Sequence, residues 1–458
     1  MIRLVSGVLT EFAMSREGLF GDLPETAGAR APTAAGEVRL REPERDQIAL
    51  RVVDIDSLIG LEHAARVIWA YVEKLDLSEL EAAIKAREHT PGQAPPSPRL
   101  LLALWLYATS AGVGSARALA RLCESHDAYR WLCGGVSVNY HGLADFRSGH
   151  GDLLDRLLTE NVATLSTAGV IDLDEVVQDG MRVRASAGAA SFRRRKKLHK
   201  ELKKAQRLVA RLKQETDDDP DASNRRIRQA RERAARERGE RVAKALERMA
   251  ELEAERARRA KINQNQVKKQ GAPRASTTDP EARVMKMPDG GFRPAYNCQL
   301  GTVAGGQIVV DADAVAMGSD RGLIRPMLDR IERRYGRQPK RHLVDGGFNK
   351  HADTEWAAER GVSIYGPPAR SKHRTDPYAP RAKDGSGVAA WRRRMKSPHG
   401  KSVYKRRALG ECINARFRGW NLHQFTVRGR AKVTAVLHLF ALANNILAGH
   451  RLLRAAAT

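Results

Sequence analysis

Apolar positions along the chain change period in a definite order. Residues 1–45 show no sustained period, are rich in Gly, Pro, Ala and charge, and are expected to be poorly ordered. Residues 46–165 carry helical periodicity. "SPRLLLALWLYATS" (97–110) opens with a Ser-Pro helix start and runs on as a dense apolar segment. "SARALARLCESHDAYRWLCG" (115–134) spaces Leu119, Leu122 and Trp131 as a helix would. Short helix, turn and Arg-bearing helix are compatible with a helix-turn-helix DNA reader, and a plain helical bundle accounts for the same pattern.

The period then shortens. "EVVQDGMRV" (175–183) is β-rich and holds one acid, Asp179, before a glycine. Helical periodicity returns over 193–270, where Leu198, Leu202, Ala205, Val209 and Leu212 step by four, three, four and three, a heptad seam. Pro220 and its polar neighbours break it, and Val242, Leu246, Met249 and Leu252 form a second stripe. Two charged helices joined by a turn predict an antiparallel hairpin. Its seam could close within the chain or against a second subunit. "YNCQLGTV" (296–303) and "GQIVVDADAV" (306–315) read as a β-hairpin. A helix over 320–336 follows, then a buried strand in "RHLVDGGFNK" (341–350) that ends at Asp345. A helix over 351–361 and a strand over 362–366 come next. This order predicts an α/β protein: a mixed sheet with a helical N-terminal domain and an inserted charged hairpin.

Charge sharpens the picture. The chain has 458 residues, about three structural units by length, and 80 Lys/Arg against 54 Asp/Glu, a net charge of +26. Residues 193–270 alone hold 27 Lys/Arg and 13 Asp/Glu, over half of that excess. Such a balance points to a polyanionic partner, nucleic acid first and an anionic membrane surface second. Four cysteines without a CxxC pair argue against a disulfide framework or structural zinc. No run of 18 apolar residues is present, and Glu11 ends the short apolar N-terminal stretch, so neither a membrane span nor a signal peptide is expected. No GxxxxGK[ST] loop suggests nucleotide use, and the 13 histidines form no HExxH or His-x-His pair. A soluble, intracellular, nucleic-acid-facing protein is the expectation.

Two acids stand at unusual sheet positions. Asp179 lies inside a strand and Asp345 at a strand end, where ligands and catalytic groups gather in α/β sheets. Either alone could be an ordinary strand-end acid. A third element is "YKRRALGECINARFR" (404–418). On one helix Tyr404, Arg407, Glu411 and Arg418 would fall at about 0°, 300°, 340° and 320°, a single narrow face. That face could place one acid on a metal and two cations on phosphates. It could equally be a surface helix in which Glu411 is a simple ion-pair partner.

The order Asp179, Asp345, Glu411, with Tyr404, Arg407 and a basic residue framing the last acid, resembles the DDE transposases of bacterial insertion sequences. It is most similar to the branch with a Tyr–Arg–Glu–Lys signature. "ADFRSGH" (144–150), "VQDGMRVRASAG" (177–188), "DPEARVMK" (279–286), "LVDGGF" (343–348) and the tail 421–446 add to the likeness, which spans about 46–450. Arg418 stands where the signature has Lys, which keeps the charge and changes the hydrogen-bond geometry.

The resemblance implies an RNase H-like catalytic domain (166–192 and 271–458) interrupted by the hairpin (193–270) and preceded by a helical DNA-binding domain (46–165). It also implies that Asp179, Asp345 and Glu411 bind two Mg2+ ions, for which Mn2+ could substitute. Hard ions take carboxylate oxygens, and a metal pair can serve both the attacking and the leaving oxygen of phosphodiester chemistry. Tyr404, Arg407 and Arg418 would act at a DNA end. The basic segment 367–401, read as a loop, would offer Trp391, Arg392, Arg393 and Arg394 to an unpaired base. Asp279, Arg283 and Lys286 would rim the active site. The expected partners are terminal inverted repeats and target DNA, handled by a homodimer in the cytoplasm at the nucleoid. A transposase descendant that binds DNA without cutting is the alternative, and a structural RNA-binding protein fits less well.

Overall fold

The computed structural model describes residues 54–86, 89, 94–218, 222–269, 271–369 and 376–457. The poorly ordered segment expected over 1–45 lies outside the described residues.

Seven helices come first: α1 (Ala64–Val72), α2 (Ser78–Ala82), α3 (Pro98–Ser110), α4 (Ala116–Ser125), α5 (Asp127–Cys133), α6 (Tyr140–Gly149) and α7 (Gly151–Thr167). Their ends follow local chemistry. The Ser97 hydroxyl accepts from the Arg99 amide with Pro98 in the first turn of α3, Ser115 and Asn139 cap α4 and α6, and Gly134 ends α5 in the left-handed region. The apolar run of α3 is core: Leu102, Leu104, Trp105 and Leu106 are buried, and the Trp105 indole N–H donates to the Leu143 carbonyl at 2.8 Å.

The strand β1 (Glu175–Arg184) opens the sheet. A two-residue strand, β2 (Phe192–Arg193), leads into α8 (Arg195–Asp218), α9 (Ala222–Ile262) and the short α10 (Gln264–Lys269). The chain returns through β3 (Ala275–Ser276), which pairs with β2 and so ties the hairpin's root together. Leu198, Ala205 and Leu212 of α8 and Val242, Ala245 and Met249 of α9 are buried, so the heptad seam closes within the chain. Arg195 forks onto Glu253 across it, at 2.7 Å.

Then follow β4 (Arg283–Lys286), β5 (Phe292–Val303), β6 (Val309–Val315), α11 (Ile324–Tyr335), β7 (Arg341–Val344), α12 (His351–Glu359) and β8 (Ser363–Tyr365). The strand order is β6–β5–β1–β7–β8, antiparallel across β6, β5 and β1 and parallel across β1, β7 and β8. The first residues of β5 pair with β4 on the edge that β6 takes further along.

The chain ends in α13 (Ser386–Lys396), α14 (Pro398–Lys405), α15 (Ala408–Gly419) and α16 (Arg430–Ala457). Two expectations change here. Residues 386–396 are helix rather than loop. The single helix expected over 404–418 is interrupted by a turn at Arg406–Arg407.

Among the described residues α16 is the one helix long and apolar enough to cross a membrane, although it lacks an uninterrupted apolar run. Here it is an internal spine. Val433, Leu437, Phe440 and Ala441 belong to the core under β1, β5 and β6, while Leu439, Leu442 and Ile446 belong to the core of the N-terminal helices. The Asn445 amide accepts from the Val309 N–H at 2.8 Å and donates to its carbonyl at 2.7 Å, as a neighbouring strand would.

A buried charge network joins the same layers. Asp311 of β6, fully buried, takes Arg330 at 2.7 Å and Arg334 at 3.2 Å, both from α11, and Arg334 reaches Thr159 of α7 at 2.9 Å. Removing Asp311 would leave the two arginines in a medium that solvates charge poorly, with Asp313 at 3.2 Å from Arg330 and Asp155 at 2.5 Å from Arg334 as their remaining carboxylates. Asp311→Ala is therefore expected to cost about 3–5 kcal/mol in urea denaturation. A loss within experimental error would show that Asp313 and Asp155 suffice to hold the two arginines.

Candidate active site

The strand register brings the first two acids together. Gln178 of β1 pairs with Val344 of β7 in parallel, and an acid follows each of them, Asp179 within β1 and Asp345 just past the end of β7. Parallel neighbours in register lie about 4.8 Å apart across strands and point their side chains to the same face. Asp345 is exposed, and its Oδ1 accepts from the Gly346 N–H at 2.7 Å, which opens a single 3-10 turn, Gly346–Phe348.

Asp179 is half-buried. Its Oδ1 accepts from the Gly180 N–H at 2.8 Å and its Oδ2 from the Asn414 side-chain amide at 2.8 Å. Burial pushes its carboxyl above the usual range; Arg407 opposes the rise, while Glu411 and Asp320 add to it.

The third acid arrives on α15, which lies against β1. Gly410 makes that approach possible. A Cβ there would sit 2.9 Å from Val177 Cγ1, closer than packed carbons tolerate, and 3.6 Å from Asp179 Cβ. Glu411 follows it in the first turn of α15, with its side chain 58% exposed. Arg407 donates to Glu411 Oε1 at 2.5 Å, and its guanidinium lies 5.9 Å from the Tyr404 ring centre. Burial raises the Tyr404 phenol; Arg407 opposes this, while Asp345 and Glu411 reinforce it. Asp179, Asp345, Tyr404, Arg407 and Glu411 therefore share one electrostatic neighbourhood.

That neighbourhood is not a closed metal cage. Among the described residues no three His, Cys, Asp or Glu side chains are gathered closely enough to hold an ion. The donor chemistry nonetheless suits a hard divalent cation: three carboxylates offer oxygen ligands, one of them raised by burial, while the Arg407 guanidinium occupies the Glu411 carboxylate here.

Other expected residues lie elsewhere. Arg418 is exposed, seven residues along α15 from Glu411. Trp391 and Arg392 are each only 1% exposed, at the floor of a pocket of about 320 Å3 that they share with Gly346 and Gly347. The Trp391 indole N–H donates to the Gly366 carbonyl at 2.9 Å, and Arg392 pairs with Asp384 at 2.7 Å. Arg394 is half-buried and donates to the Ile364 carbonyl at 2.9 Å, which leaves Arg393 exposed. Val388, Trp391 and Met395 fall at helical spacing, and that period marks a core face. Arg283 and Lys286 are not at the acids' rim. Arg283 is in register, through Ala295, with Arg184, five residues beyond Asp179 along β1 and so about 17 Å away. It pairs with Glu255 of α9 at 3.1 Å, and Lys286 is further out. Asp279 is buried and accepts from the Tyr296 hydroxyl at 2.8 Å.

Asp320 is an acid that sequence patterning did not single out. Its Oδ1 accepts from Asn297 at 2.6 Å and Gln299 at 3.0 Å. A Cβ on Gly180 would stand 2.6 Å from that oxygen, so the glycine after Asp179 is the one sequence signal of this close approach.

Residues 270–446 match the family described as Transposase DDE domain, and residues 53–149 match the family described as Transposase domain (DUF772). No curated protein and no solved structure matches the chain. The sheet order and these two matches agree: the chain belongs to the DDE transposases of insertion sequences, and its α/β portion is RNase H-like.

The Asp179 environment has a measurable consequence. A carboxyl raised by folding loses stability as pH climbs from the unfolded range through the raised one, and that loss persists at neutral pH. Asn414 Oδ1 is buried with no hydrogen-bond partner among the described residues, so turning its amide would let it accept from an amide at position 179. In the absence of divalent ions, Asp179→Asn is expected to be at least as stable as the parent at neutral pH by urea denaturation. The difference should vanish below about pH 4. A clear destabilisation at neutral pH would show that the ionised carboxylate is a net stabiliser.

Proposed function

We propose that this chain cuts DNA strands at the terminal inverted repeats of an insertion sequence and joins the freed 3′ ends to target DNA. The observation that carries the reading is the parallel pairing of Gln178 with Val344, which is followed on each side by an acid, Asp179 and Asp345, with Gly410 letting the helix that bears Glu411 lie against β1 at Asp179. Metal ions held by these three carboxylates, a Mg2+ pair or Mn2+ in its place, would supply Lewis-acid activation of the attacking oxygen and stabilisation of the leaving one.

The remaining roles fall to the protein's own groups. Arg407 holds Glu411 until a scissile phosphate competes for the guanidinium, and its transfer to the phosphate frees the carboxylate. Tyr404, a phenol that is protonated at neutral pH and that burial shifts further upward, can donate to a DNA end. Arg418, farther along α15, meets a phosphate of the same strand. The N-terminal helices recognise the repeats, and two copies act together because two element ends must be joined. The substrate places the protein in the cytoplasm at the nucleoid.

The Arg407–Glu411 ion pair also favours a second reading, a transposase-derived protein that binds DNA without cutting. One experiment separates the two. Purified protein, Mg2+ and a labelled terminal-repeat duplex should give a nick ending in a 3′-hydroxyl. Losing a group that merely orients a metal ligand costs about 10–100-fold, so Asp345→Ala, which removes a ligand itself, should cut at least about a hundredfold more slowly while still shifting the duplex in a gel. Cleavage equal to the parent's would refute the assignment. Binding without cleavage by the parent would select the second reading.

A further inference from the structure

The inserted hairpin has no part in the chemistry above, and its two faces differ sharply. Its apolar seam is consumed internally, Leu198, Ala205 and Leu212 being buried with Val242, Ala245 and Met249, so the seam is not offered to a second subunit. What α8 turns outward is charge. With Lys200 set at 0°, Lys196, Lys197, Lys203, Lys204, Arg207 and Arg211 all fall within about 60° of it, opposite the seam. All seven are exposed. From Lys196 to Arg211 they span about 22 Å of helix. One acid, Glu201, interrupts the stretch, and it is engaged by Arg238 of α9 at 2.7 Å.

The partner helix behaves differently. On α9, Arg236 pairs with Glu232, Arg241 with Glu237 and Arg248 with Glu251, so much of its charge is matched along its own length. On α8 like charges from Lys196 to Arg207 stack at spacings of three and four, which destabilises a helix unless an anion answers them. A cleft of about 600 Å3 runs beside this face, lined by Lys200, Lys203, Lys204, Arg207 and Arg211 with Arg238 across from them.

The geometry points to the outer face of α8 as a docking surface for the phosphate backbone of duplex DNA, an inference that rests on the functional reading above. Duplex DNA carries one charge per about 1.7 Å of axis, so about 22 Å presents about 13 phosphates, of which half face one side. Seven cations over the same length match that density. The hairpin is then a DNA-holding arm, and the acids at β1 and β7 do the cutting.

The test compares two charge-matched triple variants of the full chain. Lys200→Gln/Lys204→Gln/Arg207→Gln removes three cations from the outer face. Arg236→Gln/Arg241→Gln/Arg248→Gln removes three from α9. Binding to a fluorescein-labelled random duplex of about 30 base pairs is followed by anisotropy across a salt series. The α8 variant should flatten the slope of log K against log salt by about 2–3, near 0.9 per lost phosphate contact, and bind at least about tenfold more weakly at 0.1 M salt. The α9 variant should change the slope by less than about 1, and circular dichroism should show helix content unchanged in both. Equal slopes for the two variants overturn the surface assignment, as does an RNA duplex of equal length displacing the DNA more strongly than DNA itself does. A parent chain that fails to bind the duplex at all would refute the functional reading together with the arm. A binding parent with an unaffected α8 variant refutes the arm alone.

Discussion

A carboxylate on a central strand is the constraint around which this structure is organised. β1 is paired on both edges, so Asp179 cannot escape to a sheet margin. Its charge is supported where it stands, by the Gly180 N–H, the Asn414 amide and the field of Arg407. Each of these needs a backbone feature to arrive: a glycine after the acid, a helix pressed close by Gly410, and a turn that lets Arg407 fold back. The same features carry Glu411 and Tyr404 toward Asp345. The support of one awkward group and the assembly of the site are thus a single problem with a single solution.

The rest of the fold holds that solution still. α16 joins the N-terminal helices to the sheet, and the amide of Asn445 pairs with β6. Asp311, Arg330 and Arg334 lock β6, α11 and α7 at the opposite margin of the sheet from β7. Flexibility is better placed in Glu411, whose exposed side chain can exchange its guanidinium partner without moving the helix that bears it. A rigid strand pair and one movable carboxylate suit a site that assembles fully on its substrate.

Much of this was legible from the chain because it rests on short-range rules. The succession of strands and helices along the chain, the inserted hairpin and its seam follow from periodicity, and the acids at positions 179, 345 and 411 stand out by type. What patterning missed depends on three-dimensional contact. The helical face drawn over 404–418 needed an unbroken helix, and the turn at Arg406–Arg407 has no Pro or Gly to announce it. Trp391 and Arg392 looked like a DNA-facing loop because charge was weighed above the spacing of Val388, Trp391 and Met395, and that spacing buries them. Arg283 and Lys286 are close to the second strand in sequence, yet β-register carries them to its far end. Asp320 carries no sequence mark of its own; only the glycine opposite it does.

The account stands on three carboxylates acting together on a divalent ion. Mn2+ binding to the DNA-free protein, followed by the loss of the free-ion signal in electron paramagnetic resonance, tests this most directly. The parent should take up Mn2+, Asp179→Asn and Asp345→Asn should each weaken uptake by at least about tenfold, and Glu411→Gln should do so once a terminal-repeat duplex is added and draws Arg407 away. A parent that takes up none, an Asp179 or Asp345 variant that binds as tightly as the parent, or a Glu411 variant that does so with the duplex present, would contradict it.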